Sequence, residues 1–216
     1  MLKSEIILEQ FSKILKSYST KTYDWVDSQT DYLSAWESCE YGDWLLWISE
    51  NLYSELGSEL HRLIVLTACK CARLSIKYIP ERNLIPLNAI ETTEKWVKGE
   101  VNIEEVGRAE EECWKYWNKI WRSNAGVGEA GARYAVSSAG CSCGSARAVR
   151  GAGSARLSAT AAGYNIGEYN SLKYNKAYSE TIKLCADIVR ETIPIELIEK
   201  LAILKDKEDV IREIIE

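Results

Sequence analysis

Apolar positions along this chain recur at helical spacing, and segments that alternate apolar with polar are scarce. Ile7, Phe11, Ile14 and Leu15 form one stripe, and Trp44, Trp47 and Ile48 another at i, i+3, i+4. From Ser58, a suitable N-cap, the run SELHRLIVLTACKCARLSIKYI is apolar nearly all round, which predicts a buried helix ending at Pro80. Pro86 suits the first turn of the next helix, PLNAIETTEKWVKG, and Gly99 its C-terminal cap. Asn102 and Glu105 form a capping-box pair opening IEEVGRAEEECWKYWNKIW. Further helices are expected at SLKYNKAYSETIKLCADIVRETI and, after Pro194, at IPIELIEKLAIL, with a separate short amphipathic helix from Lys205. The expectation is all-α: a compact multi-helix bundle of eight to ten helices in one domain, residues 1–216. Its sub-parts are a Trp-rich portion (1–124) and a small-residue portion with the C-terminal helices (125–216).

Residues 125–163 are about two-thirds Ala, Gly or Ser, yet no proline stands between Pro86 and Pro194. Ala125, Ala132, Ala139, Ala146, Gly153 and Thr160 recur every seven residues, and Gly128, Ala135 and Ser142 begin a second small series that fails at Val149 and Arg156. Small residues on one face let helix backbones approach closely. Each glycine inside a helix costs about 0.5–1 kcal/mol relative to alanine, which tight packing must offset. Two or three closely packed helices are therefore expected here, rather than a linker or one long rod.

The composition adds aromatics and a charge pattern. There are 8 Trp and 12 Tyr against 1 Phe, and the net charge of −5 argues against broad nucleic-acid binding. The 7 cysteines are an odd number, and the first fifteen residues are amphipathic rather than signal-like, so reduced thiols in a cytoplasm are expected. No run of 18 apolar residues exists, and no membrane span is expected.

Several chemical motifs match by letter and fail in context. GVGEAG (Gly126, Gly128, Gly131) lacks the preceding strand and the later acidic residue of a dinucleotide site. GCSCG (Gly140, Ser142, Gly144) has no preceding strand, and the only histidine, His61, lies upstream. The pairs Cys69/Cys71 and Cys141/Cys143 point about 200° apart on a helix and cannot chelate one ion. No metal, cofactor or catalytic residue is assigned. His61 reads as a capping or surface histidine, and Glu110, Glu111 and Glu112 as a solvated face.

One charged feature stands out. Between residues 130 and 167 the only charges are Arg133, Arg147, Arg150 and Arg156. On one continuous helix the first three would share an arc of about 100° and Arg156 would face away. Set among small neighbours, such guanidinium groups suit a carboxylate or phosphate. With Trp44 and Trp47 as aromatic anchors, these arginines are the candidate binding residues.

LTACKCARLSIKYIPERNLIPLNAIETTEKWVKGEV resembles a toxin-immunity-like family that also occurs widely in phage genomes. Its pattern is matched at Ala68, Cys71, Ala72, Arg73, Pro86, Ala89, Ile90, Glu91, Trp96, Gly99 and Glu100. GDWLLWI and LCADIVRETIPIELIEKL fit as well. Ile85 and Leu87 stand where the family often has arginines flanking the proline. The resemblance implies a non-enzymatic cytoplasmic inhibitor that neutralises a protein partner, either a toxin or a host defence component. The arginine patch beside aromatics instead suggests sequestration of a small anionic, nucleotide-like ligand. A self-assembling protein, or homo-oligomer, would show a small-residue face left uncovered in the monomer.

Overall fold

The computed structural model describes residues 3–52, 55–79, 83–122, 130–148, 151–167, 169 and 171–215. Among them are eleven α-helices, one turn of 3-10 helix (Ile76–Tyr78) and no strand. The helices are α1 (Lys3–Lys16), α2 (Thr20–Asp27), α3 (Tyr32–Ser38), α4 (Gly42–Leu52), α5 (Glu59–Arg73) and α6 (Ile85–Val97). They continue with α7 (Ile103–Arg122), α8 (Ala130–Ala148), α9 (Ala152–Ile166), α10 (Leu172–Thr192) and α11 (Ile195–Ile215). None of them is long and apolar enough to cross a membrane.

The predicted boundary signals act as expected. Ser58 Oγ accepts the His61 amide at 3.2 Å, and Asn102 Oδ1 accepts that of Glu105 at 2.9 Å. Gly99 takes a positive φ of 77°, and the amides of Glu100 and Gly99 bond back to the carbonyls of Lys95 and Trp96. That paired arrangement is a Schellman stop, and the φ explains the glycine.

Three expectations are corrected. The count exceeds ten because α2 and α3 are short helices, each opened by its own cap, Ser19 and Asp31. The buried helix α5 ends at Arg73 rather than running to Pro80, which lies outside the described residues; the Ser75 hydroxyl takes the carbonyl of Ala72, and a 3-10 turn follows. Finally, α11 is one helix through Lys205, since neither Gly nor Pro interrupts it.

Two apolar clusters share α5. Leu60, Ile64 and Cys71 face a cluster built from α1, α4, α9, α10 and α11, while Val65, Cys69 and Ala72 face one built from α6, α7 and α8. Helices α8 and α9 fold back antiparallel: Ser138 bonds Ser154, and a Cβ on Gly131 would meet Ala161. The sevenfold stripe is real on α8, where Ala132, Ala139 and Ala146 are buried, and it loses phase in α9, which buries Ala152, Ala155, Ala159 and Ala162. These small faces are covered within the chain, against one another and against α5 and α7.

Candidate functional site

Close approach of α8 and α9 leaves no room for large side chains between them, so the few that remain project outward. Several glycines are there because a neighbour occupies the space. A Cβ on Gly140 would lie 2.8 Å from the Trp114 ring, and one on Gly163 2.6 Å from Tyr174. Ser142 is buried, with its hydroxyl on the Ala139 carbonyl at 2.8 Å, so GCSCG is helix packing and not a nucleophile elbow. Of GVGEAG, Gly126 and Gly128 lie outside the described residues; Gly131 lets α8 approach the Ala161 carbonyl.

His61 is buried, not on the surface. Its Nδ1 accepts the Gly57 amide at 2.7 Å, and its Nε2 lies 2.9 Å from the Ser145 carbonyl. The first bond puts the ring proton on Nε2, and both nitrogens are thereby used structurally. Among the described residues no three His, Cys, Asp or Glu side chains gather as a metal site. Burial pushes the Cys143 thiol up to about 12 and the Cys141 thiol up to about 11, the latter partly offset by Arg156. Neutral thiols of this kind are poor nucleophiles and poor ligands at neutral pH.

The candidate binding residues separate. Trp44 is 9% exposed, stacked on Tyr41 at 4.0 Å and edge-on to Trp25 at 5.6 Å, so it is core rather than an exposed anchor. Arg133 sits near the start of α8 with its guanidinium 5.1 Å from the Trp121 ring. Fourteen residues of helix, about 21 Å, separate it from Arg147. Arg150 lies outside the described residues.

Trp47, Arg147 and Arg156 come together. They line a cleft of about 800 Å³ between α4 and the α8–α9 hairpin, with Tyr18, Asn51 and Leu56 on the α4 side and Cys141, Ala152 and Gly153 on the other. Reversal of the chain after α8 is what returns Arg156 to the side of Arg147; on one continuous helix it would have faced away. Trp47 is fixed by its indole N–H, 3.3 Å from both the Ile14 carbonyl and the Ser17 hydroxyl, and by the Tyr18 ring at 5.3 Å. Asn51 donates to the Trp47 carbonyl at 2.8 Å, and its own carbonyl oxygen, an acceptor, has no partner among the described residues.

The charges of the cleft are unevenly engaged. Arg147 pairs with Glu110 at 3.2 Å. Arg156 makes no side-chain hydrogen bond or ion pair among the described residues. Glu50 also lines the cleft but accepts the Ala152 amide at 2.5 Å, which occupies the start of α9 and closes that helix end to other anions.

Asp43, buried in the first turn of α4, feels the Arg156 charge. Tyr18 donates its hydroxyl to Asp43 Oδ2 at 2.6 Å, and Oδ1 has no hydrogen-bond partner among the described residues. Burial pushes the Asp43 carboxyl up; the Tyr18 hydrogen bond and the Arg156 charge act in the opposite direction. Burial and the Asp43 charge both push the Tyr18 phenol up, and the same two causes act on Tyr178.

Tyr18, Asn51 and the neutral cysteine carry no sequence signal that groups them with the arginines, because they lie on separate elements. Tyr134, Tyr164, Tyr169, Tyr174 and Tyr178 gather with Arg156, Leu157 and Thr160 around a groove of about 460 Å³. Comparison of the chain with protein-family models, with curated proteins and with solved structures finds no match.

Proposed function

We propose that this chain is a non-catalytic binding protein that takes a small anionic, nucleotide-like ligand into the cleft between α4 and the α8–α9 hairpin. The observation that carries the reading is the convergence of Trp47, Tyr18 and Arg156 on one concavity of about 800 Å³. An aromatic wall suits a base, Asn51 offers an acceptor for its edge, and the guanidinium groups suit phosphate. The reading needs no reacting group, in keeping with a histidine committed to backbone contacts and thiols held neutral.

A thermal shift with ADP and ATP tests it. At a ligand concentration one hundred times Kd, stabilisation is about 2.7 kcal/mol, roughly 5–10 °C for a chain of this size. The double variant Arg147→Gln, Arg156→Gln should keep the far-UV circular-dichroism spectrum and lose the shift. No shift with either nucleotide at millimolar concentration rejects the reading.

A second reading, neutralisation of a protein partner such as a toxin or a defence component, is favoured by a surface outside the Trp47 cleft. Ile166, Tyr169 and Leu172, around the α9–α10 connection, are 53%, 62% and 90% exposed. Adjacent apolar side chains left in water are the kind of patch that a partner covers. Leu172→Asp should abolish such an interaction while leaving the nucleotide shift intact.

A further inference from the structure

The cleft and the tyrosine groove are neighbours along α9. Ala152, Gly153 and Arg156 line the first; Arg156, Leu157, Thr160 and Tyr164 line the second. Arg156 is the residue common to both. From Gly153 to Thr160 is two helical turns, so the two depressions are centred roughly 10 Å apart. Each has an aromatic lining of its own. In the first, Trp47 leans on Tyr18. In the second, Tyr134 and Tyr164 lie parallel within 8° at 5.1 Å, Tyr169 continues the stack at 6.0 Å, and Tyr174 meets Tyr164 edge-on. The partition between them is polar: Tyr18 and Tyr178 approach from the two sides, with Asp43 and Arg156 in range of both.

We propose that the two depressions form one groove for a dinucleotide, with Arg156 holding the linking phosphate and one base on each aromatic wall. This rests on the reading of the Trp47 cleft as a nucleotide site and deepens it. The spacing of aromatic, cation, aromatic along two turns of α9 matches a ligand whose single anionic centre lies between two flat rings. Bases splayed on either side of one phosphodiester stack readily on aromatic side chains. Arg156 is suited to the centre because among the described residues its side chain makes no hydrogen bond or ion pair, whereas Arg147 is already paired with Glu110. Tyrosine hydroxyls on the groove wall supply donors and acceptors for the edge of the second base.

Isothermal titration of the full chain with AMP, GMP, adenylyl-(3′→5′)-adenosine and guanylyl-(3′→5′)-guanosine tests the proposal. A dinucleotide is expected to bind at least about tenfold more tightly than its mononucleotide, because the second contact becomes intramolecular. Tyr164→Ala should bring the dinucleotide down to the mononucleotide level and leave the mononucleotide unchanged. Arg156→Gln should weaken both. Tyr169→Ala, at a more exposed position, gives the same comparison if Tyr164→Ala does not fold. Mononucleotide binding with no gain for the dinucleotide overturns this proposal alone; absence of binding by all four overturns the nucleotide reading with it. An affinity that keeps rising with length, up to a ten-residue oligoadenylate, also overturns it, since that marks a track for a single strand.

Discussion

At the residue scale, glycine in this chain has two opposite meanings that a letter does not distinguish. A Cβ on Gly42 would lie 2.5 Å from Cys185 Cβ and 2.6 Å from the Cys185 carbonyl carbon, so α4 and α10 touch through the missing side chain. Gly107, inside α7, has nothing nearer than an Arg147 nitrogen at 4.0 Å. Gly42→Ala should therefore destabilise by about 3 kcal/mol, since backbone cannot yield easily. Gly107→Ala should stabilise by about 0.5–1 kcal/mol through helix propensity. Urea unfolding of both variants reads the contrast. Asp43 gives a second contrast. Its folded pKa is raised by burial, so the native state holds the proton more tightly than the unfolded chain does. Stability is then greatest below the ordinary carboxylate value and falls as pH rises through the folded one. Asp43→Asn removes that loss, and its melting temperature should exceed wild type by an amount that grows from acid toward neutral pH. A difference that shrinks with pH would show that the anion is favoured in place.

At the element scale, the α8–α9 hairpin is joined by hydroxyls rather than by large apolar side chains. Ser138 and Ser154 each donate to the other's carbonyl, at 2.9 and 3.1 Å, and the Ser138 and Ser158 hydroxyls lie 2.8 Å apart. Ser158 also reaches the Cys71 carbonyl at 2.7 Å, which ties the hairpin to the end of α5. Ser158→Ala should cost about 1–2 kcal/mol, as the buried Cys71 carbonyl loses this hydroxyl donor. A Ser138/Ser158 double-mutant cycle should show coupling of roughly 0.5 kcal/mol or more. This element explains which readings of the small-residue stretch were legible. The sevenfold stripe on α8 is a local periodicity and appears in the sequence directly. Its phase break in α9 is not legible, because α9 packs against α4, α5 and α10 as well as α8.

At the scale of the whole molecule, helices from distant parts of the chain assemble the cleft. Trp47 comes from α4, Arg147 from α8 and Arg156 from α9, and Tyr18 follows α1. Such a site responds to loss of packing anywhere in α4 or the hairpin. Trp47 and Arg156 were legible as candidates from residue type and charge isolation. Trp44 carries the same signal of residue type, yet it is core, because α4 is buried on all but the side that carries Trp47 and Asn51. Arg133 shares a helical arc with Arg147, and the length of α8 keeps them apart.

From the sequence alone follow the all-α class, the bounds of α6, α7 and α10, the buried status of α5 and the tight packing of the small-residue helices α8 and α9. These follow from periodicity and end caps, which are short-range properties of the backbone. Tertiary structure alone decided which arginine meets which aromatic, that His61 is consumed by two backbone contacts, and that five tyrosines gather beside Arg156. Those outcomes depend on where the chain reverses and which helix faces are left over, and no spacing along a single helix encodes them.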